Sequence, residues 1–363
     1  MKLNFIDIKR QYQRYQSEID QQIQSVLSEA AFIMGKEVGM LEASLGEYVG
    51  VKHAIACASG TEALQLALMA YGIKPGDEII TTSFTFIATA EVISLLGAKP
   101  VFVDVKRDTF NIDPEKIKKA IGPRTRGIIA VDIFGQCADY DEINQMAQAH
   151  GLFVIEDAAQ SFGARYKNRM AGSLAEMACT SFFPAKPLGC YGDGGMIFTK
   201  DKDKAEMLKS LRNHGAGQHK YENVRIGINS RLDTLQAAIL LAKFKHFPNE
   251  IQLRQQAADY YTQYLKDIAE IPLILTHNHS VFAQYNILIE NRDALQKKLQ
   301  EHQIPTAIYY PTPLHLQAAY AFLGYKKGDL PVTEEICGRI LALPMHPFIT
   351  REEQDFIISK LKI

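Results

Sequence analysis

Seven short apolar runs, at 54–58, 78–82, 100–105, 127–131, 152–155, 180–183 and 196–199, alternate along this chain with longer stretches of helical spacing. Few architectures accept that pattern. Strands separated by helices pair in a mostly parallel sheet that is covered on both faces. The predicted class is therefore α/β with a seven-stranded, mostly parallel sheet. Ahead of the first run, residues 17–49 set apolar and charged positions at helical spacing, as in Glu37-Val38, Leu41-Glu42 and Leu45-Gly-Glu47-Tyr48, and read as amphipathic helices.

The 363 residues exceed what one hydrophobic core usually fills, so a large and a smaller domain are expected. A long helical pattern covers 234–247, and near Pro248 the strand-helix alternation stops. The boundary is placed there, giving a large domain at 1–247 with the N-terminal helices and a small α+β domain at 248–363. In the latter, 251–265 reads as a helix, 282–289 as a strand and 340–343 as a short strand before Pro344. Composition narrows the function. Forty Lys and Arg against 41 Asp and Glu leave a net charge of −1 and no basic stripe, which argues against nucleic-acid binding. Five cysteines without a CxxC pair suit free thiols in a reducing compartment and make a zinc site a poor reading. Charges interrupt the first ten residues, and nowhere do 18 apolar residues run together, so a soluble, cytoplasmic protein without a membrane partner is expected.

Four places carry chemistry. Lys186 lies in Ser181-Phe-Phe-Pro-Ala-Lys-Pro-Leu-Gly-Cys-Tyr-Gly-Asp-Gly-Gly195, between an apolar run and a glycine-rich turn. An amine that forms a Schiff base must first be lowered from its usual pKa near 10.4, and the flanking Phe182, Phe183, Pro184 and Leu188 offer the burial that does so. Asp157 follows the run 152–155, at the carboxyl end of a strand, where α/β folds bind ligands. A carboxylate there suits the pyridine nitrogen of an electron-sink cofactor, and it equally suits a helix cap or a magnesium ion. The segment Ala58-Ser-Gly-Thr-Glu-Ala-Leu64 passes from strand through glycine into helix, which suits either phosphate held by helix amides or simple capping by Ser59 or Thr61. Phe84-Thr-Phe86 could cover a flat heterocycle or belong to the core, and Ser181 and Asn229 are further polar groups that could equally be turn residues. Neither phosphate-loop nor dinucleotide glycine spacing is present, which disfavours ATP and NAD. Lys186 and Asp157 together point to pyridoxal phosphate (PLP).

With these residues in order, the chain resembles the DegT-type nucleotide-sugar aminotransferases, PLP enzymes of the aspartate aminotransferase fold, from about Phe5 to Pro347. Its landmarks are Ala58 to Leu64, Gly76-Asp-Glu-Ile79, Glu156-Asp-Ala-Ala-Gln160, the Lys186 segment, Asn229-Ser-Arg-Leu-Asp233 and Leu343-Pro-Met-His-Pro347. The resemblance implies that Lys186 is the catalytic residue, forming the Schiff base with the cofactor and later shuttling the substrate proton. It implies that Asp157 pairs with the pyridinium, that Gln160 lies near the ring hydroxyl and that Phe86 stacks on the ring. Gly60 and Thr61 amides with the Ser181 hydroxyl would hold the phosphate. Asn229 would reach that phosphate from the other subunit, making a homodimer part of the site. No metal is implied. The reaction would carry an amino group from glutamate to a keto sugar on a nucleotide diphosphate.

Within the family, residues 178–195 and 229–240 look most like the branch acting on UDP-2-acetamido-2-deoxy-3-keto-glucuronate, whose product feeds bacterial O-antigen (lipopolysaccharide) synthesis. Arg231, Tyr309, Tyr310 and His315 are the candidates for that sugar, with Arg231 alternatively a partner of Asp233 and His315 alternatively a loop residue. Tyr309 stands where an imidazole is expected in that branch, and Ile228 where many members carry tyrosine. The alternative acceptors are 3-keto- or 4-keto-6-deoxy sugars on UDP or dTDP. A sugar dehydratase on the same scaffold would replace the lysine with histidine, and a non-catalytic regulator would be free to lose Lys186 or Asp157.

Overall fold

The structure, a computed structural model, describes residues 3–219 and 221–361. Its centre is a seven-stranded sheet: β1 (His53–Cys57), β2 (Glu78–Thr82), β3 (Lys99–Val103), β4 (Thr125–Val131), β5 (Phe153–Asp157), β6 (Met177–Ser181) and β7 (Gly195–Thr199). They lie in the order β1-β7-β6-β5-β4-β2-β3. Only β7 runs against its neighbours; the other adjacent pairs are parallel, as the helix-separated runs predict. Six of the seven runs shift at an end by one to three residues, two of them beside the strand ends that matter below. The run at 180–183 becomes a strand ending at Ser181, because Ser181 pairs opposite Gly195 at the end of β7 and leaves Phe182 and Phe183 in the turn beyond. The run at 152–155 extends to Asp157, which takes its place opposite Val131 and Cys179.

Both faces of the sheet are packed. On one face Leu64 and Leu68 of α3 (Gly60–Ala70) and Ile93 of α4 (Ala88–Leu95) meet Ile155 and Ile197. On the other, Leu41 and Leu45 of α2 (Lys36–Val49), which follows α1 (Ile8–Glu29) along the chain, and Leu240 of the helix Thr234–Phe244 meet Ile128, Phe162 and Phe198. Each large aliphatic side chain so buried contributes roughly 1.5–3 kcal/mol, which holds the strand ends in fixed relation.

A second packing centre gathers β8 (Tyr285–Leu288), β9 (Ile340–Leu343) and the C-terminal helix Arg351–Leu361 around Ile287, Leu341 and Ile357, with Leu3 from the other end of the chain. The helix Phe247–Leu265 joins the two centres. It starts with Pro248 in its first turn, where a missing N–H is harmless, sets Phe247 and Ile251 against the large sheet's core, and sets Ala258, Tyr261 and Leu265 in the second. Among the described residues, no helix is long and apolar enough to cross a membrane, and no cluster of His, Cys, Asp and Glu could hold a metal. The five cysteines are buried free thiols.

Candidate active site

The carboxyl ends of the parallel strands open onto a cavity of about 460 Å³. It is lined by Gly60, Thr61, Phe86, Asp157, Gln160, Ser181, Lys186, Tyr309 and Tyr310, nine of the residues singled out from the sequence. Three others are not part of this lining. Asn229 lies exposed in a backbone bridge to Asn213. Arg231 donates to Asn213 Oδ1 at 3.5 Å, and its Nε is buried without a partner. His315 is buried, held through Nδ1 by Ser83 Oγ at 2.8 Å and through Nε2 by Glu334 at 3.1 Å, so both ring nitrogens are engaged within the fold. Ile228 packs at the edge of the α3-side core.

Lys186 follows the turn that its own backbone closes, its N–H donating to the Phe183 carbonyl at 2.8 Å. Desolvation pushes its ammonium below the usual lysine range, and the Asp157 charge opposes that shift. An amine so placed is closer to its neutral, nucleophilic form than a surface lysine.

Asp157 ends β5 and is 5% exposed. Its Oδ2 accepts from Thr89 Oγ1 at 2.8 Å, and its Oδ1 accepts from the Ala159 N–H at 3.2 Å. Burial raises its pKa, while these two bonds and the Lys186 charge pull it down. Thr89 is itself steadied by Thr85 Oγ1 at 3.1 Å. Neither threonine was read from the sequence, although their spacing of four in adjoining turn and helix brings the two hydroxyls together.

Opposite, α3 begins at the cavity. Ser59 caps it by accepting from the Glu62 N–H at 3.1 Å, so the capping reading of this segment holds, and Gly60 and Thr61 line the cavity beside Ser181. Here glycine is required by closeness: a Cβ at position 60 would sit 2.6 Å from Ser181 Cβ. The helix dipole and these first amides make this end receptive to an anion.

Aromatic and amide groups complete the walls. Phe86 is 55% exposed, a bare ring at the cavity. Gln160 accepts from the Phe134 N–H at 2.9 Å and donates to Tyr310 Oη at 3.3 Å, and the Tyr310 ring stands edge-on to Phe84, which is core. Ile6, Asp193 and Gln284 also line the cavity. Asp193 belongs to the Lys186 segment but was not singled out within it, and Ile6 and Gln284 come from distant parts of the chain with no motif that would have marked them.

An amine, a buried carboxylate, an amide-lined helix start and a bare aromatic ring thus face one space. Comparison with known proteins agrees. A model of the DegT/DnrJ/EryC1/StrS aminotransferase family matches residues 13–362. The UDP-2-acetamido-2-deoxy-3-oxo-D-glucuronate aminotransferase of Pseudomonas aeruginosa is 49% identical, over 99% of both chains. A pleiotropic regulatory protein of Geobacillus stearothermophilus is 44% identical, over 99% of this chain and 98% of its own. The crystal structure of Bacillus subtilis NtdA, with bound cofactor PMP, superposes with a TM-score of 0.93 at 32% identity, over 99% of this chain and 84% of its own.

Proposed function

This chain belongs to the DegT/DnrJ/EryC1/StrS aminotransferase family, and from that premise we propose that it moves an amino group from glutamate to carbon 3 of a UDP-linked 2-acetamido-2-deoxy-3-keto-glucuronate. The observation that carries the reading is the convergence of Lys186, Asp157 and the Gly60 cradle on one cavity. Those residues fit PLP, the cofactor of this class of transaminase: a Cβ at Gly60 would crowd the anion-receptive end, and Asp157 is a buried carboxylate with its protein partners confined to one side chain and one amide.

When bound, PLP supplies an electron sink for the carbon that carries the amino group. The protein does the rest. The amides of Gly60 and Thr61 and the Ser181 hydroxyl would hold the phosphate. Asp157, its orientation fixed by Thr89 and Ala159, would keep the pyridine nitrogen protonated. Phe86 would cover the ring and Gln160 would lie near its hydroxyl. Lys186 would act as the general base that removes the proton from the donor carbon and then as the general acid, a role its lowered pKa suits. Asn229, exposed on one protomer, completes the phosphate site of its partner in a homodimer. Tyr309, Tyr310 and, across the same interface, Arg231 are the candidates for the sugar carboxylate. His315 leaves that set because its ring is committed to Ser83 and Glu334. The amino sugar then enters lipopolysaccharide synthesis from the cytoplasm.

A regulatory reading has one observation in its favour, the 44% identical regulatory relative. Against it stand Lys186 and Asp157, both facing the cavity. Visible absorption decides. Protein supplied with PLP is expected to show a cofactor band that glutamate bleaches and that one member of a panel of UDP- and dTDP-linked 3-keto and 4-keto sugars restores. Restoration by a 4-keto or 6-deoxy sugar alone would redirect the substrate, and absence of any band would favour the regulator.

A further inference from the structure

A second cavity, also of about 460 Å³, lies between the small domain's sheet and the loop carrying Phe134. That volume is within the roughly 300–1,000 Å³ of small-molecule sites. Gln284 lines both cavities, so the two share a wall.

Its floor holds an unusual set of unmet hydrogen bonds. Asn286 is 3% exposed in the middle of β8, between the buried Tyr285 and Ile287, and neither Oδ1 nor Nδ2 has a partner. Its backbone is fixed opposite Ala342, so the strand cannot turn the amide out to water. Asn278 Oδ1 and Gln284 Oε1 on the same lining are likewise buried and unpartnered. Buried polar groups in folded proteins are nearly always hydrogen-bonded, and a strand position flanked by core residues is an unfavourable place for a bare amide. Four such atoms from three residues around one space indicate a surface that is completed by something entering it.

The lining also says what would enter. The acidic and basic residues of the lining, Asp259, Lys266 and His279, are all exposed at the rim, which leaves a neutral floor. Asn286 presents an acceptor beside a donor, the pattern that pairs with the edge of a nucleobase. The two additional carbonyl oxygens want donors, which ring N–H groups and ribose hydroxyls supply. Phe134, its ring edge-on to the buried Phe110, gives an apolar side to the cavity against which the face of a base can lie. We propose that this cavity is a second binding site, for an uncharged nucleoside, built on Asn286, Asn278 and Gln284 and separate from the cavity of Lys186.

The test measures binding, not turnover, and so stands or falls apart from the aminotransferase reading. Uridine and adenosine are titrated calorimetrically into the PLP-loaded protein, with N-acetylglucosamine as a donor-rich ligand lacking a flat base. Saturable binding of a nucleoside but not of N-acetylglucosamine is expected. Asn286→Leu, close to isosteric, is expected to weaken that binding at least tenfold with an unchanged or higher Tm, since it removes an unpaired buried amide. Asn286→Ala serves if the larger side chain disturbs folding. No saturable nucleoside binding, stronger binding of N-acetylglucosamine, or nucleoside binding undiminished in the folded Asn286 variants, which would place the ligand at the Lys186 cavity instead, each overturns the proposal.

Discussion

Glu156 and Asp157 are consecutive carboxylates on one strand, both buried, and the pleat sends them to opposite faces of the sheet. Glu156 is closed off: its two oxygens accept the N–H groups of Gly172 at 2.6 Å and Leu174 at 2.9 Å, tying down the loop before β6. Asp157 has one hydroxyl and one amide, and beyond them an open cavity with an amine in it. Burial raises the pKa of both, and the neighbouring Asp132 charge raises that of Glu156 further. The difference lies in whether the fold completes the set of hydrogen bonds. A completed set belongs to stability, and an incomplete one is held ready for a ligand.

That contrast can be broken by experiment. The largest effect is expected on the amine that faces the open carboxylate: Lys186→Ala lowers the rate of amino transfer from glutamate by about 10³-fold or more while the protein still retains PLP, measured by a coupled assay beside the absorption spectrum. Next, Asp157→Asn lowers turnover by roughly 10²–10³-fold, the scale for removing one electrostatic partner from a reacting centre, with little change in Tm. Glu156→Gln should do the reverse. It sets an NH₂ against a backbone N–H, costs about 1–3 kcal/mol of stability in a denaturant melt, and leaves the rate per folded molecule within about twofold. Equal loss of rate in the two variants would erase the distinction. Thr89→Val, which removes the hydroxyl that orients Asp157, is expected to slow turnover by about two- to tenfold, from a hydrogen bond of roughly 0.5–1.5 kcal/mol.

The smallest effect concerns pH. The Lys186 pKa is lower in the folded protein than the ordinary 10.5, so the native state binds its proton less readily than the unfolded chain does. Stability therefore rises with pH between the lowered value and 10.5. Lys186→Met should raise the Tm of the cofactor-free protein by about 1–3 °C near neutrality, a gain that shrinks as the pH approaches 10.5. A gain that grows with pH would contradict the assigned direction.

Lys186, Asp157 and the start of α3 were legible because each stands next to a strand end, and strand ends are where local sequence and tertiary position coincide. The seven strands were legible for the same reason, through their apolar runs. What escaped depended on partners far along the chain. His315 looks like a ligand candidate until Ser83 and Glu334 are seen on its two nitrogens. Gln284 stands just before the short strand β8, far along the chain from Lys186, yet reaches the cavity at the strand ends of the seven-stranded sheet. Thr89 reads as an ordinary residue of an apolar helix, and only the fold turns its hydroxyl to Asp157. The helix that begins at Phe247 shows a similar limit, since no local signal says that its first turn packs in one core and its last in another.

The tight fit of Gly60 against Ser181 also bears on how the chain matures. The two residues are distant in sequence, and the anion-receptive end is made of both, so it does not exist until β1, β7 and β6 have docked in register. Contacts of such long sequence separation are slow to form. Cofactor capture is then a late event, and the appearance of bound PLP during refolding is a clock for completion of the sheet, insensitive to helices that form earlier.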